Sequence, residues 1–316
     1  MEDYNYIIRE LIFDLNKYTK AYDEGHPLIS DKEWDDLYFK LQNYENKYQI
    51  YYEDSPTQKV NYQVVNELKK VEHSHPMLSL DKTKSIDEVK AFIGNKQWIA
   101  MAKMDGLTCS LSYENGKLVR AETRGNGVIG EDILHNALQI KNIPNKINYK
   151  NKLTIDGEVI CTYNNFKNFE KEYKNPRNFA SGSIRLLNSK ESAMRNLSFI
   201  AWDVIEGFEE KKLNEKLWRL QECYNFDIVP YYSKKDDNET IEDAIETIQS
   251  YCRDVKEYPI DGIVFKYNNC EEYNAAGRTD HHFKGGIAYK FYDEEYETTL
   301  KDIEWTMREN AVFLHQ

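Results

Sequence analysis

The fold of this chain is decided by residues 97–123, QWIAMAKMDGLTCSLSYENGKLVRAET. Short apolar runs in this stretch predict strands at 97–102, 109–113 and 117–123, because such runs between turn residues are typical of β-structure. Glu114-Asn115-Gly116 predicts a tight turn between the last two, since Asn-Gly readily adopts the positive φ angles that a hairpin requires. The stretch therefore predicts antiparallel sheet.

The same kinds of pattern continue toward the C-terminal side. They predict three further strands, at 153–161, 197–205 and 262–267, and three helices, at 165–172, 215–224 and 241–256. Helices interspersed among hairpin-linked strands favour an α+β fold, with antiparallel sheets and flanking helices.

The N-terminal residues predict a separate helical unit. Between residues 4 and 52, apolar side chains recur at helical spacing: Ile7, Ile8, Leu11, Ile12 and Leu15, then Trp34, Leu37, Tyr38 and Leu41. Ser30 is placed to cap the second helix of this hairpin. Because a chain of 316 residues exceeds what one hydrophobic core usually serves, we predict a small helical domain at 1–70 and a larger domain at 71–316.

Composition narrows the function classes. A formal net charge of −12 argues against a protein that binds nucleic acid over its whole surface, and predicts that the isolated chain binds nucleic acid weakly. The acidic N-terminal residues do not resemble a signal peptide, and no apolar run has transmembrane length, so a cytoplasmic, intracellular location is expected. The five cysteines are too far apart to predict a zinc site or a disulfide framework.

Lys103-Met104-Asp105-Gly106 places a lysine at the end of a predicted strand, where a substrate can reach it. Asp-Gly is a common turn dipeptide, so a plain surface turn is the alternative interpretation. Four motifs that follow in order favour a catalytic lysine: Thr123-Arg124-Gly125-Asn126-Gly127, Asp156-Gly157-Glu158-Val159, Asp261-Gly262-Ile263-Val264-Phe265-Lys266 and Ala288-Tyr289-Lys290-Phe291.

These motifs supply the groups that nucleotidyl transfer requires. A lysine nucleophile is inert while protonated, and nearby cations favour loss of its proton, so we expect Lys266 and Lys290 to lie near Lys103. The same cations can stabilise charge on a phosphate in the transition state. Glu158 can accept hydrogen bonds from a ribose or hold Mg²⁺, which prefers oxygen ligands beside phosphates.

At this point the chain resembles the NAD-dependent DNA ligases over nearly its whole length. The longest matching strings are His75-Pro76-Met77-Leu78-Ser79-Leu80 and Asn175-Pro176-Arg177-Asn178-Phe179-Ala180-Ser181-Gly182-Ser183-Ile184-Arg185. Asp31-Lys32-Glu33-Trp34-Asp35 is similar to the D-x-x-Y-D element of the helical domain that binds the nicotinamide mononucleotide half of NAD in this family. The resemblance implies a nucleotidyltransferase domain with an ATP-grasp-like arrangement behind a helical subdomain.

The resemblance also implies roles for individual residues. Lys103 of the lysine motif, which includes Asp105, would become adenylated, while Lys266 and Lys290 would hold the AMP phosphate. The residues implied to contact the rest of NAD are Arg124 at the ribose, Ser79, Leu80 and Trp202 at the adenosine, and Tyr22, Asp31, Trp34 and Asp35 on the nicotinamide side. Glu158 would contact the ribose or assist metal binding, and Arg177 and Arg185 would contact phosphates of nicotinamide mononucleotide or of the nicked strand. Without the resemblance, Trp34 and Trp202 would be interpreted as core residues.

Three single positions and one four-residue run depart from the family pattern. Met101 stands where the family has a glutamate that recognises the adenine amine. Ala21 replaces a tyrosine beside Tyr22, and Trp34 replaces another, which alters the expected stacking on nicotinamide. A run of Phe283-Lys284-Gly285-Gly286 replaces the usual P-R-W run.

The implied reaction is adenylation of Lys103 by NAD, with Mg²⁺ as cofactor. Nick sealing would need an OB-fold, a zinc module and helix-hairpin-helix repeats that are not within these residues, so we expect either a fragment or a chain that works with a separate polypeptide on nicked DNA. Two alternatives are a nucleotidyltransferase that uses ATP or GTP and a non-catalytic nucleotide-binding subunit. The helical domain speaks against the first, and the lysines and Glu158 speak against the second.

Overall fold

The computed structural model describes residues 4–23, 28–52, 54–57, 68–233 and 240–291, and the backbone of 304–308 and 311–315; the side chains of residues 22, 23, 31 and 32 are not described. The helices are α1 Tyr4–Asp23, α2 Asp31–Tyr48, α3 Ile86–Ile93, α4 Leu134–Ala137, α5 Tyr163–Phe166, α6 Pro176–Ile184, α7 Ser189–Met194, α8 Leu213–Tyr224, α9 Ile241–Tyr251, which a π-helical turn Cys252–Lys256 extends, and α10 Cys270–Ala276. The strands are β1 Lys70–Glu72, β2 Ser79–Thr83, β3 Trp98–Met104, β4 Leu107–Glu114, β5 Lys117–Thr123, β6 Ile129–Glu131, β7 Leu153–Ile160, β8 Ser198–Glu206, β9 Tyr231–Ser233, β10 Ile260–Tyr267, β11 His282–Lys290, β12 Glu304–Arg308 and β13 Ala311–His315.

Helices α1 and α2 form the predicted helical hairpin. Their facing apolar side chains make a core of their own, which contains Ile8, Ile12, Leu15 and Leu41. Ser30 caps α2 in a capping box, because its side chain accepts from the Glu33 backbone and the Glu33 side chain accepts from the Ser30 backbone. The helical prediction is confirmed, whereas the domain boundary at residues 70 and 71 stays a prediction.

Besides the two-stranded pairs β1-β6 and β12-β13, the rest of the described fold contains two larger, mainly antiparallel sheets, which confirms the predicted α+β class. The first has the strand order β2-β11-β10-β3-β9, in which the β2 and β11 pair is parallel, and the second has the order β5-β4-β7-β8. Strand β3 of the first sheet leads through Asp105 and Gly106 into β4 of the second. The Lys103 motif therefore lies where the chain passes from one sheet to the other.

A large apolar core joins these sheets to their flanking helices. Ile99 and Phe265 are fully buried in the first sheet, and Leu111 and Phe199 are fully buried in the second. All four belong to one cluster of buried side chains. Burial of this apolar area is the dominant favourable contribution to folding, and it holds the first sheet, which carries Lys103, Lys266 and Lys290, against the second, which carries Glu158.

One predicted helix is wrong in extent. The spacing predicts a helix over 165–172, but α5 ends at Phe166 and turns follow it. The backbone continues in i→i+3 turns, in which Asn168 N donates to Asn165 O at 3.3 Å and Phe169 N donates to Phe166 O at 2.7 Å, and the Asn165 side chain donates to the distant backbone oxygen of Arg195 at 2.8 Å. The other predicted helices and strands are confirmed with small shifts at their ends.

Within the residues that the structure describes, each helix is too short or too polar to cross a membrane.

Gly262 is expected to be required for the contact between β10 and β11. A Cβ atom at this position would overlap the backbone oxygen of Tyr289 on the neighbouring strand. Gly262→Ala should therefore lower the free energy of unfolding by about 1–3 kcal/mol, measured by urea denaturation. Gly182→Ala in α6 is the control, because its nearest new neighbour is Tyr173 Cε1 at 3.9 Å; it should be neutral or stabilise by up to about 1 kcal/mol. Equal effects of the two substitutions would contradict this account.

Candidate active site

A chain of alternating charges runs through the cleft between the first sheet and the helical hairpin. Lys103 Nζ lies 2.9 Å from Asp261 Oδ1, and Lys290 Nζ lies 2.7 Å from Asp261 Oδ2. Lys290 Nζ also lies 2.9 Å from Asp35 Oδ2, and Asp35 Oδ1 lies 3.4 Å from Lys82 Nζ. The site thus links a residue of α2 to the predicted nucleophile.

Strand register explains why two of these lysines meet. Gly262 of β10 pairs with Lys103 of β3 on one side and with Lys290 of β11 on the other. Asp261 directly precedes this glycine, at a register shift in the β10 and β3 pair. Its carboxylate consequently reaches both ammonium groups.

The charges of this chain stabilise one another. Burial raises the pKa of Asp261, but the ammonium groups of Lys103 and Lys290 lower it by more. The pKa of Asp261 therefore lies well below its usual range. The pKa of Lys290 moves the opposite way, because Asp261 and Asp35 outweigh the effect of burial. Asp261 and Lys290 therefore both stay charged across the neutral range.

Glu158 lies nearby on the second sheet. It pairs with Thr108 of β4, whose hydroxyl donates to Glu158 Oε2 at 2.9 Å. Burial raises the pKa of Glu158 to about 7, although the charges of Lys103 and Arg177 lower it in part. The carboxylate is therefore poised between its two protonation states near neutral pH.

Lys266 connects the two sheets on another side of the cleft. Its ammonium group lies 2.6 Å from Asp203 Oδ2 of β8, and both side chains are largely buried. It also lies 4.4 Å from the ring centroid of Tyr273 and 5.7 Å from that of Trp202. Burial lowers the pKa of Lys266, but the Asp203 carboxylate outweighs burial and raises it. A permanently charged lysine beside an aromatic ring can bind the phosphate and base of a nucleotide.

The predicted adenosine-side residues line the same cleft. Ser79 and Leu80 form the start of β2 and pair with His282 and Phe283 of β11. Met101 is buried in β3 and lines the cleft, where it presents a thioether instead of a carboxylate. An adenine amine would therefore find no charged acceptor at this position.

The three predicted arginines differ in their surroundings. Arg177, on α6, donates to Asp105 Oδ1 at 3.1 Å and keeps more than a third of its side chain exposed. Arg185 Nε lies 3.0 Å from Glu131 Oε2 in a buried ion pair. Arg124 contributes to the potential at Glu158 and lines the cleft. Arg177 is thus more accessible to a new anion than Arg185.

The helical hairpin contributes Trp34 and Asp35 to the cleft. The Trp34 indole stacks on Tyr38 at 5.3 Å and donates from Nε1 to Thr19 Oγ1 at 3.0 Å. The side chains of Tyr22 and Asp31 lie outside the described residues, so their predicted roles stay predictions; their backbones lie at the end of α1 and the start of α2.

These groups share one continuous cleft of about 600 Å³. Its lining includes the predicted residues Trp34, Asp35, Ser79, Leu80, Lys103, Arg124, Glu158, Arg177, Arg185, Trp202, Lys266 and Lys290. Asp105 is not among the described lining residues and instead bonds to Arg177. This volume is in the range of small-molecule and cofactor sites.

The sequence prediction missed several polar residues of the cleft. Asp261 and Asp156 belong to the quoted motifs, but only Lys266 and Glu158 of those motifs are predicted to be functional. His75 Nε2 lies 2.9 Å from Asp156 Oδ2, which helps to raise the pKa of this histidine against the effect of burial. Lys82 and Asp203 carried no local signal, because ion-pair partners far apart in sequence are identified by tertiary contact alone.

Comparisons with known proteins agree with the earlier resemblance. A family model described as NAD-dependent DNA ligase adenylation domain matches residues 65–294, and one described as DNA ligase-like, N-terminal NAD+-binding domain matches residues 1–61. The chain is 38% identical over 312 residues to a DNA ligase of Lachnoclostridium phytofermentans, which covers 95% of this chain and 47% of that protein. It is 35% identical to a DNA ligase of Ruminiclostridium cellulolyticum, over 97% of this chain and 48% of that protein. The chain thus spans about half the length of these curated relatives.

Asp203 is expected to stabilise the fold through Lys266. Asp203→Asn leaves a buried ammonium group without its counter-charge, so the free energy of unfolding should fall by about 3 kcal/mol. Glu206→Gln on the same strand is the control, since its 2.9 Å ion pair with Lys152 is exposed, and its loss should stay below about 1 kcal/mol. Chemical denaturation of both variants measures the difference, and similar losses would show that burial of the first pair is unimportant.

Proposed function

Because this chain belongs to the family of NAD-dependent DNA ligases, we propose that it catalyses the adenylation step with Lys103 as nucleophile. Lys103 attacks the α-phosphate of NAD, AMP remains on the lysine, and nicotinamide mononucleotide leaves. The observation that carries this proposal is the shared carboxylate of Asp261, which holds Lys103 beside Lys290 in a cleft that also contains Asp35 of the helical hairpin.

The proposed step follows from this placement. The Lys103 nitrogen loses a proton to water and forms a bond to the α-phosphorus, and the bond from that phosphorus to the bridging oxygen breaks. The bridging oxygen leaves with its electron pair on the nicotinamide mononucleotide. Lys266 and Lys290 stabilise the negative charge that develops on the α-phosphate oxygens. Asp261 keeps Lys103 in the orientation for attack.

The family implies Mg²⁺, and Glu158 fits this ion. A buried carboxylate with a pKa near 7 lacks a full counter-charge, which a divalent cation would supply. Among the described residues, no three His, Cys, Asp or Glu side chains form a ready-made metal cage. Mg²⁺ is commonly bound by one or two carboxylates together with phosphates and water. Glu158 would supply one such carboxylate. When bound, the ion would neutralise phosphate charge.

The remaining predicted residues are proposed to bind the two halves of NAD. Arg124 and Glu158 would contact the adenosine ribose, while Ser79, Leu80 and Trp202 enclose the adenine. Tyr22, Asp31, Trp34 and Asp35 would hold the nicotinamide side, and Arg177 would bind a phosphate in exchange for Asp105. Arg185 would reach a phosphate only after its ion pair with Glu131 opens.

We further propose that the adenylate passes to the 5′-phosphate of nicked DNA before a 3′-hydroxyl displaces AMP. This later chemistry would use domains of the kinds that the family resemblance implies, on the same or a partner polypeptide. An intracellular location is proposed because NAD and nicked DNA must both be available to the protein.

Intact mass spectrometry tests the donor and the nucleophile together. Incubation with Mg²⁺ and NAD should add the mass of one adenylyl group to the chain, whereas ATP should add none. Lys103→Met should abolish the gain, and Lys117→Met, which removes an exposed lysine on β5, should leave it intact.

A gain with ATP instead of NAD would move the chain to the nucleotidyltransferases that use triphosphates. NAD binding without any mass gain would favour a non-catalytic subunit. Either result would overturn the proposed function.

Asp261→Asn is expected to slow formation of lysyl-AMP by at least about 100-fold, because a misoriented nucleophile loses much of its effective concentration. Single-turnover kinetics with excess NAD measure this step. Asp132→Asn is a control outside the described cleft and should react at the wild-type rate. A wild-type rate in Asp261→Asn would mean that Lys103 needs no carboxylate for its orientation.

A further inference from the structure

Lys82 is a cation of the cleft that has no role in the adenylation step proposed above. It lies on β2 and points toward α2, where its ammonium group lies 3.4 Å from Asp35 Oδ1. The same group lies 4.9 Å from the ring centroid of Trp34 and 4.4 Å from that of Tyr38. Lys82 therefore stands over the aromatic surface on which the nicotinamide half of NAD is proposed to bind.

The contact with Asp35 is weak in geometry. A distance of 3.4 Å is long for a charge-assisted hydrogen bond, which is typically 2.7–2.9 Å, whereas Lys290 binds the other oxygen of Asp35 at 2.9 Å. Lys82 thus has donors available for a stronger acceptor at the cleft.

The local charge balance favours an incoming anion. The described alternating chain contains the ammonium groups of Lys82, Lys103 and Lys290 and the carboxylates of Asp35 and Asp261. This leaves one excess positive charge, and the pyrophosphate of NAD is negative. A phosphate on the nicotinamide side would meet repulsion from Asp35 unless a cation lay between them.

We propose that Lys82 binds the phosphate of the nicotinamide half of NAD and stabilises this phosphate as it leaves. The inference rests on the proposed adenylation by NAD and adds a residue to it. When Lys103 bonds to the α-phosphorus, the bridging oxygen departs with the nicotinamide-side phosphate and gains negative charge. Lys82 neutralises that charge, while Lys290 and Lys266 act on the phosphate that stays.

Lys84 offers a matched control on the same segment. Its ammonium group lies 3.4 Å from Asp36 Oδ1 and 5.6 Å from the ring centroid of Phe39, and its side chain is 20% exposed, the same fraction as for Lys82. Lys84, Asp36 and Phe39 are not among the described residues that line the cleft. Removal of Lys84 therefore tests the loss of a similar bridge to α2 without a loss of charge in the cleft.

The reverse reaction isolates the leaving group. Purified lysyl-AMP protein is mixed with Mg²⁺ and nicotinamide mononucleotide, and loss of the adenylyl mass is followed against the concentration of the mononucleotide. Lys82→Met should raise the KM for the mononucleotide by about 10-fold to 100-fold, the effect of one charged hydrogen bond. Lys84→Met should stay within about twofold of wild type.

The pH dependence supplies a second measurement that a purely structural role would not change. Burial lowers the pKa of Lys82 to about 8, against the raising effect of Asp35. The charged and titratable groups that face it are Asp35 and Tyr38 of α2, Lys103 of β3, Asp261 of β10, and His282 and Lys290 of β11. The positive charge of Lys82 is therefore lost as the pH rises through about 8.

Lys82→Arg keeps its charge at higher pH, because a guanidinium does not deprotonate in this range. Comparison with wild type cancels the pH dependence that the two proteins share. The ratio of kcat/KM for NAD in wild type to that in Lys82→Arg should fall as the pH rises from about 7 to about 9, since kcat/KM reports the free enzyme.

The outcomes separate the inference from the proposed function. If wild type gains no adenylyl mass from NAD, the proposed function fails and this inference fails with it. If wild type reacts but Lys82→Met and Lys84→Met give the same KM, or if the ratio to Lys82→Arg is flat with pH, the inference alone is overturned.

Discussion

The shared carboxylate of Asp261 is the interaction on which the candidate site depends. Two unit charges about 4 Å apart interact by roughly 4 kcal/mol at an effective dielectric constant of about 20. The ammonium groups of Lys103 and Lys290 would therefore repel each other without a carboxylate between them. Asp261 contacts both at less than 3 Å. Lys103 and Lys290 can therefore lie next to the same phosphate, which the first is proposed to attack and the second to bind.

This arrangement requires backbones to approach closely, both between strands of the first sheet and between the two sheets. Gly262 lies between Lys103 and Lys290 in the register of three adjacent strands. Gly106 leads the chain into the second sheet, where a Cβ atom would overlap the backbone oxygen of Val159. The absence of side chains at both positions permits these backbones to approach, and it brings Glu158 to the same cleft. Close contact with a neighbouring backbone oxygen therefore explains why a glycine follows Asp105 and Asp261.

The helical hairpin is connected to the chemistry by charge as well as by shape. Asp35 contacts Lys290 of β11 and Lys82 of β2, so the hairpin interacts with the lysine that also binds Asp261. A dinucleotide in this cleft would replace some of these carboxylate contacts with phosphate contacts. Recognition of the nicotinamide half and activation at Lys103 would then depend on the same few ion pairs.

The sequence by itself determined the local elements, the α+β class and the motif residues, because periodicity and turn chemistry act between near neighbours in the chain. It also indicated the family, which the comparisons confirm. At 165–172, where the predicted helix is too long, the Asn165 side chain bonds to the backbone of Arg195, a contact that the local pattern does not reveal. Tertiary structure alone decided the partners of the lysines: Asp261 for Lys103, Asp203 for Lys266, and Asp35 for Lys82. The physical reason is that an ion pair depends on distance in space, which strand register and sheet packing set and which separation along the chain does not reveal.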